Sequence, residues 1–238
     1  MGQDRSLDGV TALVTGAARG VGRAVCQRLA GLGARVVGTD VLPVGDDVGC
    51  AVTVRADLAD PDDCAKVVEA GQGATVVVNS AGLLRPQALE DISVADFDHV
   101  MAVNLRATFL VCQAFAPVMA AGGWGRIVNF SSVNAHTGGT TSAPYAAAKA
   151  GVLGLTRALA KQYARQGVTV NAIAPAAVDT ELNAFLTPEG RAQVEAAVPV
   201  GRFSTPEEFA GVVAFLVGDS AGFITGQTID VNGGWIMR

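Results

Sequence analysis

The sequence predicts an α/β fold, a doubly wound and mostly parallel seven-stranded sheet with helices on both faces. Three observations predict it. Short β-branched runs alternate with helical stretches along the chain, half of the 238 residues are apolar, and a glycine-rich turn joins the first strand to the first helix. Alternation of this kind calls for a parallel sheet covered on both sides, and a chain this long can bury the core such a sheet needs.

The elements follow in order. Val10 to Val14 reads as a strand, residues 20–31 as a helix, Arg35 to Thr39 and Val52 to Arg55 as strands. Asp60-Pro61-Asp62-Asp63 opens the next helix with an N-cap acid, Pro at the first helical position and acids in the first turn. Thr75 to Asn79 is an apolar strand, followed by a long helix over about 95–120 and a strand from Ile127 to Phe130. A second long helix, about 143–165, leads to a strand from Val168 to Ile173. The rhythm then breaks over 175–204, which holds a short helical pattern and no strand; such segments tend to be lids or binding loops. Thr205-Pro206-Glu207-Glu208 restarts a helix as a capping box, and Thr228 to Val231 is the last strand. With no linker, repeat or low-complexity tract, residues 1–238 read as one domain, its substrate loop at about 175–205.

Composition narrows the function. The net charge of −5 has no long acidic or basic run behind it, which argues against a nucleic-acid groove or an anionic membrane surface. No window of about 18 apolar residues suggests a bilayer span, and Met1 to Asp8 is polar without a signal region. Cytoplasmic residence is expected. Cys26, Cys50, Cys64 and Cys112 lack CxxC spacing, and His99 and His136 are far apart, so reduced thiols and no metal site are expected.

The first strand runs into Thr15-Gly16-Ala17-Ala18-Arg19-Gly20-Val21-Gly22. Glycines here let the backbone turn tightly and approach a pyrophosphate held on free N–H groups at the helix start, as in a Rossmann-type nucleotide site. The spacing is GxxxGxG, a departure from GxGxxG. Asp40 ends the second strand 18 residues past Gly22. A carboxylate there accepts hydrogen bonds from ribose hydroxyls and repels a 2′-phosphate, which favours NAD over NADP. Arg19 argues the other way, because a guanidinium in the loop can meet a 2′-phosphate.

With Asn79-Ser80-Ala81-Gly82, Ser132 and Tyr145-x-x-x-Lys149 added, the chain resembles the short-chain dehydrogenase/reductase family over nearly its whole length, to Asn232-Gly233-Gly234. The resemblance implies the site. Gly16, Arg19, Gly20, Val21 and Gly22 look like its phosphate loop, Asp57 and Leu58 like its adenine-contacting pair, and Asn79, Ala81 and Gly82 match its Asn-Asn-Ala-Gly segment with Ser80 in the second place. Val178 and Thr180 take the positions that hold the nicotinamide carboxamide. In that segment the usual Gly is Ala176, which would be strained if the position required φ above zero. Asn104, Ser132, Tyr145 and Lys149 match the four catalytic positions, Ser132 lying 13 residues before Tyr145. The resemblance also implies a homotetramer, with the two long helices packing against symmetry mates. Between Asp40 and Asp57, where the family often fits a helix, Leu42 to Asp47 reads as a loop crossing.

The chemistry suits these residues. A phenol is a poor base at neutral pH and needs a nearby cation; a spacing of four puts Lys149 about 6 Å along the helix axis from Tyr145, on the same face. Ser132 would orient a substrate oxygen against Tyr145. Asn104 is an unfavourable residue inside a helix, and the resemblance makes it the holder of a relay water. His136 could touch substrate, Phe185 and Leu186 could wall the pocket, and Trp124 and Trp235 read as packing residues. The function expected is NAD(H)-dependent interconversion of a secondary alcohol and a ketone on a small molecule. Its alternative is an NADPH-dependent 3-oxoacyl-[acyl-carrier-protein] reductase, against which the stretch from Ala120 to Trp124 offers no basic side chain to an acidic carrier. A non-catalytic cofactor-binding protein is a third reading.

Overall fold

The computed structural model describes residues 7–139 and 142–237. Residues 1–6 of the polar N-terminal stretch and residues 140 and 141 of the loop between Ser132 and Tyr145 lie outside them.

Seven strands form one sheet: β1 (Thr11–Thr15), β2 (Arg35–Asp40), β3 (Val52–Arg55), β4 (Val76–Asn79), β5 (Gly125–Phe130), β6 (Val168–Pro175) and β7 (Thr228–Val231). Their order is β3-β2-β1-β4-β5-β6-β7, and every pairing is parallel. The sheet expected as mostly parallel is therefore entirely so. Strands β4 and β5 are buried along their whole length, as sheets with both faces covered require.

The helices are α1 (Gly20–Gly31), α2 (Pro61–Ala70), α3 (Val94–Met101), α4 (Ala107–Ala121), α5 (Asn134–Thr137), α6 (Ala143–Tyr163), α7 (Pro188–Ala197) and α8 (Pro206–Val217). One apolar cluster joins the sheet to α1 and α8 through Val25, Leu29, Phe209 and Val213. Another joins it to α2, α4 and α6 through Val67, Val111, Phe115 and Ala160. Local chemistry starts the helices where it was expected to. The Asp60 side chain accepts from the Asp62 N–H with Pro61 behind it, and Thr205 and Glu208 close a capping box on α8.

Two readings, both of the long helix, needed adjustment. The long helix over 95–120 is continuous from Val94 to Ala121, but Ala102–Arg106 winds as a π-helix between α3 and α4. By length and composition it could span a bilayer, contrary to the expectation that no such window exists; about half of its most apolar stretch is buried in this protein. Residues 175–204 contain a bridge from Val178 to Ser204 and a 3-10 turn at Glu181–Asn183 besides α7. Ala176 is unstrained, since no non-glycine residue among those described has positive φ. The crossing from Asp40 to Val52 holds only the 3-10 turn Asp46–Val48, in keeping with its reading as a loop.

Candidate active site

Strand order reverses between β1 and β4, and at their carboxyl ends the loops diverge to leave a cavity of about 470 Å³. In open parallel sheets this is where ligands bind. Gly16, Arg19, Gly20, Val21 and Gly22 form one wall. The glycines are dictated by space: a Cβ on Gly22 would lie 1.9 Å from the Gly16 carbonyl oxygen, and one on Gly16, at φ +73°, 2.9 Å from the Ala81 backbone. The loop is also tied down, because Thr15 Oγ1 accepts the N–H groups of Ser80 and Ala81 at 3.1 Å each. A close backbone cradle at the start of a 12-residue helix fits the pyrophosphate of a dinucleotide.

At the next strand end, Asp40 accepts from the Ala18 N–H through Oδ2 and from the Leu42 N–H through Oδ1, both at 3.0 Å. Its carboxylate lines the cavity and retains unused lone pairs. Asp57 and Leu58 close the same corner.

Ser132, Tyr145 and Lys149 line the same cavity. The end of β5 grips the first turns of α6: Lys149 Nζ donates to the Phe130 carbonyl and Ser131 Oγ to the Lys149 carbonyl, each at 2.8 Å. Lys149 Nζ lies 5.6 Å from the centroid of the Tyr145 ring. Burial pushes the phenol of Tyr145 above its ordinary value, and a hydrogen bond with Ser132 partly offsets this. Burial also lowers the Lys149 ammonium to about 8. A buried acid, a hydroxyl that tunes it and a cation beside it can deliver a proton to a substrate oxygen or take one from it. Val178 and Thr180 also line the cavity, and a Cβ on Gly20 would lie 3.0 Å from Thr180 Cγ2.

Two expected residues are not on the cavity wall. Asn79 is buried, and its amide donates to Asn129 Oδ1 at 2.9 Å and toward Cys112 Sγ at 3.4 Å; its neighbour Ser80 is on the wall instead. Asn104 is fully buried in the π-helix. Its side chain accepts from the Leu83 N–H at 3.2 Å and donates to the Leu83 and Val100 carbonyls at 2.9 Å each. It still borders the site, because a Cβ on Gly82 would lie 3.2 Å from Asn104 Oδ1 and 3.5 Å from Lys149 Nζ.

Among the residues singled out for substrate, Phe185 and Leu186 line the cavity, whereas His136 does not and lies 4.0 Å from Asp230 on β7. Trp235, expected to pack, is on the wall, as are His99, Leu83 and Leu84. Their sequence carries no signal for this beyond the place of Leu83 and Leu84 directly after Gly82. Trp124 does pack, under the guanidinium of Arg126 at 4.6 Å.

Comparison with known proteins decides what this constellation belongs to. A family model described as enoyl-(acyl carrier protein) reductase matches residues 16–236. A 3-oxoacyl-[acyl-carrier-protein] reductase of Aquifex aeolicus is 38% identical over 96% of the chain and 98% of its own length. The chain belongs to the short-chain dehydrogenase/reductase family. Among solved short-chain dehydrogenase/reductase structures, a putative NAD(P)-dependent gluconate 5-dehydrogenase from Beutenbergia cavernae, with bound NADP, has a TM-score of 0.93 and 41% identity, covering 97% of this chain and 98% of its own. A putative 2-deoxy-D-gluconate 3-dehydrogenase from Agrobacterium tumefaciens, also with bound NADP, has a TM-score of 0.92 and 36% identity over the whole of both chains. Membership makes the protein an oxidoreductase of the short-chain type, acting on CH–OH groups with NAD or NADP.

Proposed function

We propose that this enzyme interconverts a small secondary alcohol and its ketone with NAD(H), using Tyr145 as acid and base. The observation that carries the proposal is that buried Ser132, Tyr145 and Lys149 line the same cavity as the glycine loop. When bound, the nicotinamide supplies or accepts the hydride. Gly16 to Gly22, Asp40, Asp57, Leu58, Ala81 and Gly82 would hold the dinucleotide, with Val178 and Thr180 at its carboxamide. Ser132 orients the substrate oxygen, and Tyr145 protonates it in reduction or takes its proton in oxidation. Protonated Lys149 stabilises the phenolate that results. Asn104 anchors Leu83 and the π-turn beside the lysine. For Asn79 we keep a role only in supporting Ser80 and Ala81 from the core.

Asp40 supports NAD: a 2′-phosphate beside this carboxylate would meet like charge. The cavity supports a largely apolar substrate, since its lining includes Leu83, Leu84, Phe185, Leu186, Phe203 and Trp235. We place the reaction in the cytoplasm, in a homotetramer.

The second reading, an NADPH-dependent 3-oxoacyl-[acyl-carrier-protein] reductase, has the stronger support from the relatives: the Aquifex aeolicus protein bears that name, and both similar solved structures hold NADP. Within this chain Arg19 on the cavity wall favours it, as does Arg55, whose Nε donates to the Val41 carbonyl beside Asp40. Against it, Arg126 is buried and offers no charge to a carrier.

A panel of secondary alcohols and ketones with both cofactors tests the proposal. Preference for NADH on small ketones supports it; a large preference for NADPH with activity on an acyl-carrier thioester transfers the assignment to the second reading. Tyr145→Phe is expected to lower kcat by about a hundred- to ten-thousandfold with dinucleotide binding retained. Substantial remaining turnover would remove Tyr145 from the proton step.

A further inference from the structure

After β6 the chain closes a frame and hangs α7 from it. Val178 bridges to Ser204, the Asp179 N–H donates to the Ser204 carbonyl, and the Ser204 N–H donates to the Ala177 carbonyl, both bonds at 2.9 Å. Between the two sides of this frame, α7 buries none of its own residues. Leu186 just ahead of it and Val194 within it pack on Ala177, Val198 and Phe203, a small cluster apart from the two that flank the sheet. Arg191 ties the helix to the frame. Its Nη1 donates to Asp179 Oδ1 at 2.9 Å, its Nε donates to Glu195 Oε1 at 3.3 Å, and its guanidinium carbon lies 4.1 Å from the centroid of the Phe203 ring. Leu186, Val194 and Phe203 line the cavity, and Arg191 stands behind them.

We propose that Arg191 is a positioning residue for the substrate: paired with Asp179 and stacked on Phe203, it holds α7 so that Leu186 and Val194 close the apolar part of the cavity. A planar guanidinium can lie on an aromatic face and still direct its edge N–H groups at carboxylates, which a lysine ammonium does not reproduce. Glu195, four residues on and on the same helix face, fixes the plane by taking the Nε proton. Asp179 stands between Val178 and Thr180, so the pair fastens α7 to the segment assigned to the nicotinamide carboxamide. Loss of the clamp therefore loosens the side of the cavity that meets the substrate, while the dinucleotide keeps the glycine loop and Asp40. Both partners are partly exposed, the Arg191 side chain at 41% and Asp179 at 60%, so dissolved salt reaches the pair and weakens it.

The clamp is a property of α7 whatever the reaction; its effect on turnover rests on the alcohol–ketone reading. In hydrogen exchange on the full chain, Arg191→Met should lower the protection of the α7 amides and leave the sheet strands unchanged, which also checks that the variant folds. With an uncharged ketone taken from the panel, Arg191→Met should raise KM by about five- to tenfold while kcat and NADH affinity stay within about twofold. Arg191→Lys, which keeps the charge opposite Asp179 without the stacked plane, should recover part of the loss. Asp179→Asn should raise KM in the same direction and add little to Arg191→Met, since both remove one contact. Added potassium chloride should raise the wild-type KM for that ketone and leave the KM of Arg191→Met unmoved. Unchanged α7 exchange in Arg191→Met would overturn the clamp. A loosened α7 with unchanged KM, additive effects of the two substitutions, or an equal loss of NADH affinity would overturn the positioning role. A wild-type chain that turns over no ketone would instead count against the reading of the reaction, and exchange in α7 would still decide the clamp.

Discussion

Lys149 shows how burial and chemistry act on one side chain. It is 3% exposed, donates to the Phe130 carbonyl, and has its pKa lowered to about 8 by loss of water. The unfolded chain binds this proton up to the ordinary lysine range near 10.4, so between the two values the unfolded state holds more protons. Stability from this group accordingly rises with pH through that window and is lost as pH falls through about 8. Against Lys149→Met, which removes the titration, the wild-type chain should gain relative stability on moving from neutral pH to pH above about 9 in urea unfolding; a pH-independent difference would mean the ammonium is not desolvated. Asp40 acts through charge instead. Asp40→Asn keeps its shape, and the NADP-to-NAD ratio of kcat/KM should rise by about tenfold or more as like-charge repulsion is removed. An unchanged ratio would leave cofactor choice to Arg19 and Arg55. The sequence made Tyr145, Lys149 and Asp40 legible because type and spacing carry their chemistry. Asn79 was misplaced because the hydrogen bond that holds it inside comes from Asn129, 50 residues away.

The glycine turn and the π-turn differ in how much of their geometry is local. The first is written in its own residues. Gly22→Ala would drive a Cβ to 1.9 Å from the Gly16 carbonyl, so the loop must move. A loss of stability of about 1–3 kcal/mol should come with loss of NADH binding, measured by fluorescence titration; near-normal affinity would show that the loop does not cradle a pyrophosphate. The π-turn at Ala102–Arg106 depends on tertiary contacts. Asn104 bonds to Leu83, 21 residues earlier, and only that partner explains why a poor helix former sits in the middle of a long helix. A periodic pattern over 95–120 reads as unbroken helix because π-turns of one repeat leave no mark in hydrophobic spacing. The capping box on α8 and the N-cap of α2 were legible for the opposite reason, since all their partners lie within three residues.

Across the molecule, the sheet is shared by both apolar clusters, and on that ground we propose that the chain folds as one domain, with 175–205 as its substrate loop. Helices α3 and α4 leave Val94, Phe97, Phe109 and Val118 exposed. Apolar faces of this kind mark association surfaces, which supports the homotetramer. Sedimentation equilibrium should give a tetramer, and replacing Phe97 and Phe109 with Ser should shift it toward smaller species. A wild-type chain that sediments only as monomer would refute the assembly.

By itself the sequence determined the α/β alternation, the glycine cradle, the acid that follows β2 and the Tyr145–Lys149 pair, because each is decided by neighbours on one strand, one turn or one helix face. Tertiary structure alone decided that every strand runs parallel, that Asn79 turns inward, that Asn104 anchors Leu83, and that His99 and Trp235 share the cavity with Phe185. These depend on which distant segments pack together. One residue's type and spacing do not encode that.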